Sequence, residues 1–322
     1  MRRTLLIPPL ALAILLACDD AFDPHGEFTE RPVLYCVMTS GPARAMLTRT
    51  VPSKNLLVDA DGFASPVIRG AEISLSMGPA RFRLTESLDT LNAGTPEQLI
   101  QLTYRNSYVY LLRTEAISFN ALLPDGRVLA ASTKVPGPLY FERSYEFPHG
   151  FTTAISPENR GTTWTFSWES TDGHLYFPEI LLNYVGYRTD GTTALRSVPI
   201  PQRMLLEGGR EVPAYPQPTY EGSCGFDFQA FDFVLARLAL TESEFRQIGI
   251  RTLVFRVTTY DVPLARFYTS AHGAMDPYSI RIDETVYSNV SGGIGVFGTY
   301  VVDSLEQDVD EAYIESFGYV KR

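Results

Sequence analysis

The amino-acid sequence predicts a mostly β protein. An N-terminal immunoglobulin-like β-sandwich is expected over residues 32–137, and a second β-rich domain with a few short helices over 138–322. Three observations carry this reading. Apolar and polar residues alternate over short runs, as in strands with one dry and one wet face. Gly, Pro, Asn and Asp cluster between these runs, as turns require. A body of ~300 residues is also long enough to enclose two separate cores.

From Pro32 the pattern becomes β, through the apolar run Val33-Leu34-Tyr35-Cys36-Val37-Met38. Ala71, Ile73, Leu75 and Met77 alternate with Glu72, Ser74 and Ser76. Gly78-Pro79 turns the chain, and Phe82 and Leu84 continue the apolar face on the return. Ile117, Phe119, Ala121 and Leu123 repeat the alternation. Pro124-Asp125-Gly126 then reads as a hairpin turn, because Asp-Gly tolerates positive φ, and Val128 to Thr133 returns. Pro136-Gly137-Pro138 closes the first domain.

The second domain is less regular. Trp164, Phe166 and Trp168 share one strand face, with Thr163, Thr165 and Ser167 on the other. Asp172-Gly173 turns into a strand over Leu175 to Arg188. Leu253, Phe255 and Val257 alternate with Thr252, Val254 and Arg256. A helix is expected over Phe231 to Leu240, and Thr241-Glu242-Ser243-Glu244 fits a capping box at a helix start. Residues 199–220 hold Pro199, Pro201, Pro213, Pro216 and Pro218. Proline donates no ladder hydrogen bond, so this stretch is excluded from a central strand and read as a long loop.

The N-terminus carries the sharpest signal. Arg2 and Arg3 precede the apolar stretch Leu5 to Ala17, which Pro8 and Pro9 interrupt. That stretch falls short of the ~20 apolar residues needed to cross a bilayer as a helix. Charge, short apolar segment and small residue read as a secretory signal peptide over 1–17. Leu15-Leu16-Ala17-Cys18 looks like a bacterial lipobox. Its chemistry asks for a small residue at the cleavage point and for a thiolate nucleophile at Cys18 to take the lipid. Residues 18–31 would form a lipidated tether, and two or more acyl chains hold a protein firmly to a membrane. Asp19 and Asp20 resemble an export tag of one large bacterial group, whereas in others an Asp there favours inner-membrane retention. The expected location is the outer membrane; the residues leave the periplasmic and surface faces open.

Composition narrows the partners. The chain has 27 Lys+Arg and 37 Asp+Glu, a formal net charge of −10. Loss of Arg2 and Arg3 with a cleaved leader would lower this to −12. Such acidity repels nucleic-acid phosphates and anionic headgroups. A hydrophobic content of 45% fits a folded body rather than a disordered one. After Cys18, only Cys36 and Cys224 remain. Two buried free thiols are the expectation, and a bridge between the domains is the alternative in an oxidising compartment.

Several segments together resemble a known family. They are the lipobox, the Pro32–Thr50 hairpin, the Val135-Pro136 exit and the run from Tyr287 to Gly298. The most specific element is Ser288-Asn289-Val290-Ser291-Gly292-Gly293-Ile294-Gly295-Val296-Phe297-Gly298. The chain resembles the lipoprotein family called domain of unknown function forty-two forty-nine over nearly its whole mature length. The resemblance implies an outer-membrane lipoprotein encoded near TonB-dependent transporters, hence an accessory role in uptake. It carries over no catalytic residue.

The same glycine run matches the dinucleotide fingerprint at Gly293, Gly295 and Gly298, but that fingerprint needs a helix opening within it. Here Val296, Phe297, Thr299, Tyr300, Val301 and Val302 favour strand. A structural role is therefore expected for Asn289, Gly292, Gly293, Gly295, Phe297 and Gly298, with the glycines allowing close backbone approach. His25, His149, His174 and His272 show no metal-pair spacing. Asp59-Ala60-Asp61-Gly62 starts like a calcium loop without its later ligands, and Asp308, Asp310 and Glu311 form no loop signature. No GxSxG elbow occurs. No metal, cofactor or catalytic residue is thus expected, and the protein is read as a non-enzyme.

Aromatic residues give the best hint of binding. Tyr215, Tyr220, Phe226, Phe228, Trp164 and Trp168 are the candidate interaction surface, with core packing as the competing role for the Trp and Phe residues. The leading expectation is an accessory or binding module of an outer-membrane transport system with a small ligand. A surface hydrolase acting on glycans, whose two carboxylates carry no local motif, and a structural envelope protein are the alternatives.

Replacing the Cys18 sulfur by a hydroxyl (Cys18→Ser) should leave the product unacylated. Fractionation of envelopes should then find it in the soluble pool, whereas the native protein should sediment with membrane.

Overall fold

The computed structural model describes residues 29–50, 67–91, 99–141, 163–272 and 287–322, with sixteen strands and three helices. The fold is mostly β. The first lobe contains β1 (Pro32–Met38), β2 (Ala43–Arg49), β3 (Glu72–Met77), β4 (Ala80–Leu91), β5 (Leu99–Asn106), β6 (Ala116–Leu122) and β7 (Val128–Lys134). Their order is β1-β2-β5-β4-β3-β6-β7, antiparallel throughout.

The long strand β4 makes two layers out of this ribbon. Its first half pairs with β3, and from Thr85 onward it pairs with β5. Alternate residues of both layers then face each other. Ile73, Leu75, Met77, Leu84, Ile117, Phe119 and Leu129 meet Leu34, Cys36, Ala45, Leu47 and Tyr104 in one core. The turns behave as their residues dictate. Gly126 has φ +84°, and the Asp125 carboxylate accepts the Arg127 N–H at 3.0 Å.

The second lobe follows with β8 (Thr163–Ser167), β9 (Leu175–Tyr187), β10 (Thr193–Ile200), β11 (Arg203–Glu207), β12 (Arg210–Ala214), β13 (Ser223–Asp227), α1 (Phe228–Thr241), β14 (Gln247–Tyr260), α2 (Val262–His272), β15 (Ile294–Asp308), α3 (Glu311–Glu315) and β16 (Val320–Lys321). Strands β10-β9-β14-β15 form its sheet, with β16 parallel on β14. Helix α1 buries Phe228, Phe231, Val234, Leu235 and Leu238, at helical spacing, against Ile180, Leu182, Tyr184, Leu253, Phe255 and Val257.

The structure departs from two expectations. The residues expected as a capping box do not open a helix: Thr241 ends α1, and its hydroxyl donates to the carbonyls of Arg237 and Leu238. The proline-rich stretch is not a single loop. It holds the end of β10 and the hairpin β11–β12, a two-stranded sheet on its own. Exclusion from a central strand still holds, since Pro199 lies on β10, the last strand of its sheet, and Pro213 on β12.

Strand β15 joins the lobes. Its first six residues pair in parallel with β1, and Tyr300 to Asp308 pair antiparallel with β14. The path from β10 to β7 is therefore one continuous sheet. Val290, Phe297 and Val301, beyond residue 138 in sequence, belong to the first core. Phe297 is fully buried, with its ring 5.6 Å from that of Phe119.

Asp261 reinforces the junction. It is 1% exposed and lies between β14 and α2. Its carboxylate accepts the Thr133 hydroxyl of β7 at 2.6 Å, the Leu264 N–H of α2 at 2.8 Å, and both the N–H and the hydroxyl of Thr299 on β15. Burial pushes this carboxyl above its ordinary range, and the hydrogen bonds only partly offset that.

Removing the acceptor (Asp261→Ala) strands several buried donors and should cost about 3 kcal/mol in urea unfolding. The pH dependence has a definite sign. A raised folded pKa makes the group's contribution complete below about pH 4 and lets it fade as pH rises through the folded value. The native protein's advantage over the non-titrating Asp261→Asn should therefore be larger at pH 4 than at pH 7.

Candidate functional site

The glycine run packs as backbone against backbone. Ser291 exchanges two hydrogen bonds with Ala130 of β7, at 3.1 and 2.8 Å. The Asn289 side chain acts as a substitute strand: its amide donates to the Phe297 carbonyl at 2.7 Å, and its oxygen accepts the Phe297 N–H at 2.9 Å. A Cβ on Gly295 would collide with the Leu34 carbonyl, and one on Gly293 would lie 2.6 Å from the Pro32 oxygen. Gly292 has φ +78° and backs onto Val128, while Gly298 faces Leu264 and Asp261. The run continues into β15 rather than a helix, so it has no phosphate-binding geometry.

Of the six candidate surface aromatics, the structure leaves two well exposed. Tyr215 is 46% and Tyr220 50% exposed. Phe226, Phe228 and Trp168 are buried, which corrects their assignment to a surface. Trp164 is half-buried and packs 5.1 Å from the Phe231 ring. The reason is the pairing of β8 with β13, which turns Phe166 and Phe226 toward Phe255 under α1.

Tyr215 and Tyr220 follow an arm that local sequence signals do not reveal. β11 and β12 pair only with each other, joined at Gly208-Gly209, with φ +57° and +80°. Two positive-φ residues are what a tight hairpin turn needs. The arm exposes Leu205, Leu206 and Val212, with Leu206 at 76%.

Beside the lobe junction lies a cleft of about 420 Å³. Thr133, Lys134, Val135 and Gly137 come from the end of β7 and the exit of the first lobe, and Thr171, Asp172 and His174 from the turn into β9. Val262 and Pro263 from the start of α2, and Thr114, complete it. Thr114 has φ +67°, the one positive-φ residue other than glycine among those described. Strained backbone of this kind gathers at functional sites. Its N–H donates to the Val135 carbonyl at 3.1 Å. Next to it, Arg113 grips Asp303 of β15 with two bonds of 3.0 and 3.1 Å and the Gly137 carbonyl at 2.9 Å. The walls are thus held by both lobes. Burial, then the Lys134 charge, lowers the His174 pKa, so a neutral imidazole faces the cleft at pH 7. Threonine hydroxyls, one imidazole and three apolar residues, Val135, Val262 and Pro263, suit a small ligand with polar and apolar sides, and the volume lies in the range of ligand pockets, about 300–1,000 Å³.

Other candidate groups gather no chemistry. Cys18, His25, His149, Asp59 and Asp61 lie outside the described residues. Asp310 caps α3 by accepting the Tyr313 N–H. Among the described residues, no group of three His, Cys, Asp or Glu could hold a metal ion. Cys36 and Cys224 are free and buried in different cores, and burial pushes their thiols up to about 12 and about 11. In each of three clefts among the described residues one carboxylate lines the wall: Glu86, Glu72 or Asp172. No described helix is long and apolar enough to cross a membrane. No family model and no curated protein matches the chain.

For His174 the folded pKa is depressed, so its stabilising contribution is present above about pH 6.5 and lost as pH falls through the folded value. An NMR titration of its ring protons should give a midpoint below 6.5. His174→Gln should flatten this part of the acid-unfolding profile.

Proposed function

We propose that this chain is a lipid-anchored, non-enzymatic accessory of an outer-membrane transport system. It holds to the membrane through acylated Cys18 and docks on a transporter through the β11–β12 arm. The single observation that carries the reading is that arm. An isolated two-stranded hairpin is marginal by itself, yet this one keeps Leu206, Val212 and Tyr215 in water. Such a shape fits a partner that adds a strand to its free edges or covers its apolar face. The cleft at the lobe junction would hold the small ligand. The resemblance to the lipoprotein family, with its glycine run and lipobox, supports membership and the transporter neighbourhood, and the immunoglobulin-like description of the first lobe belongs to the same proposal.

Cross-linking in intact envelopes tests the docking. The native protein should repeatedly return an outer-membrane transporter. Leu206→Glu with Val212→Glu, both exposed, should keep the melting temperature and lower recovery about tenfold, as loss of a contact centre does. Recovery of no transporter, or equal recovery with the charged arm, would remove the proposal.

A further inference from the structure

We propose a second binding site, on the outer face of β4 and β5, for an acidic saccharide. The site lies away from the arm and from the junction cleft, and the inference needs neither. In a chain of net charge −10, this face gathers arginines. Arg105 of β5 lies opposite Arg44 on one side and Thr85 on the other, and Arg83 lies two residues before Thr85 on the same face. Like charges placed directly opposite weaken a sheet. Arg44 meets Asp89 at 3.6 Å, whereas Arg83 and Arg105 have no carboxylate partner among the described residues. The Arg105 Nε is buried and bonds to no acceptor. Buried donors are normally satisfied, so this N–H favours an oxyanion that enters beside it.

The groove around these arginines measures about 540 Å³. Its other lining is Thr85, Ser87, Asn106, Ser107, Tyr108 and Glu86. Glu86 is already engaged by the Tyr104 hydroxyl at 3.1 Å and by the Gly70 N–H. Asn106 sets the mouth: its amide donates to the Arg83 carbonyl at 2.7 Å and its oxygen accepts the Tyr108 N–H at 2.8 Å. Tyr108 is 78% exposed there, so its ring face is free for stacking. Two guanidinium forks match a carboxylate or a sulfate. Side-chain hydroxyls and amides match sugar hydroxyls, and a flat ring matches the C–H face of a sugar. An open groove admits a chain rather than a single small molecule.

Calorimetric titration of the full chain tests this with uronic-acid oligosaccharides, sulfated oligosaccharides, neutral oligosaccharides of equal length, oligoglutamate and inorganic sulfate. Binding of uronate or sulfated saccharide, weakened by salt, is the expected result, and the tighter of the two identifies the oxyanion. Arg83→Gln and Arg105→Gln should each weaken it about tenfold or more, and Tyr108→Ala should weaken saccharide but not inorganic sulfate. Arg83 and Tyr108 are exposed, so those variants keep the fold even if Arg105→Gln does not. Equal affinity for neutral oligosaccharides, oligoglutamate binding as tight as saccharide, no binding of either acidic saccharide, or unchanged affinity in Arg83→Gln would each overturn the proposal.

Discussion

At the lobe junction, one carboxylate accepts hydrogen bonds from a strand of the first lobe, a strand shared by both and the start of a helix. Asp261 is suited to this because every group pointing at it is a donor. A carboxylate offers acceptors only, while an amide would turn an N–H₂ toward one of those donors. The charge is costly to bury, and the position at the first turn of α2 offsets part of that cost, since free N–H groups and the helix dipole favour an anion there. Thr133 links this junction to the cleft beside it: its hydroxyl donates to Asp261 and the same residue lines the cleft wall. Arg113, bonded to Asp303 and Gly137, closes the other side. The cleft is therefore framed by fixed groups rather than by two bodies free to move apart.

The glycine run obeys the same constraint. For β15 to lie against β1 and β7 together, three backbones must come within hydrogen-bonding reach at Gly292, Gly293 and Gly295, and no Cβ fits there. Asn289 supplies the ladder bonds that a neighbouring strand would otherwise give to Phe297. Phe297 then fills the first core. The most distinctive segment of the sequence is thus explained by packing.

Legibility in the sequence followed the range of the interaction. Alternation at Ile73, Leu75 and Met77, or at Ile117, Phe119 and Ala121, is a local record of one buried face, and these strands were readable. So was the turn at Asp125-Gly126. Helix α1 was readable in its middle but not at its start, because Phe226 on β13 and Phe228 on α1 are equally apolar and period gives no boundary between them. Thr241 and Glu244 carry the right letters for a helix start, yet the apolar stripe that needs burial lies before them, so the helix ends there. The pairing of β15 with β1 joins residues about 260 positions apart and leaves no local trace. Prolines hid the β11–β12 arm, since they exclude a central strand and say little about an isolated hairpin. The cleft was hidden for a related reason: its residues sit at turns visible one by one, while their meeting depends on that distant pairing.

The parallel seam between β1 and β15 has a consequence for the order of events in biogenesis. A ribosome releases the N-terminal half first, yet that half cannot be completed from within itself. Until Ile294 to Thr299 emerge, β1 keeps a bare margin with Val33 and Val37 along it, the kind of margin on which chains stick to one another. Folding is in this sense deferred rather than stepwise, since the first lobe waits for a strand made about 260 residues later.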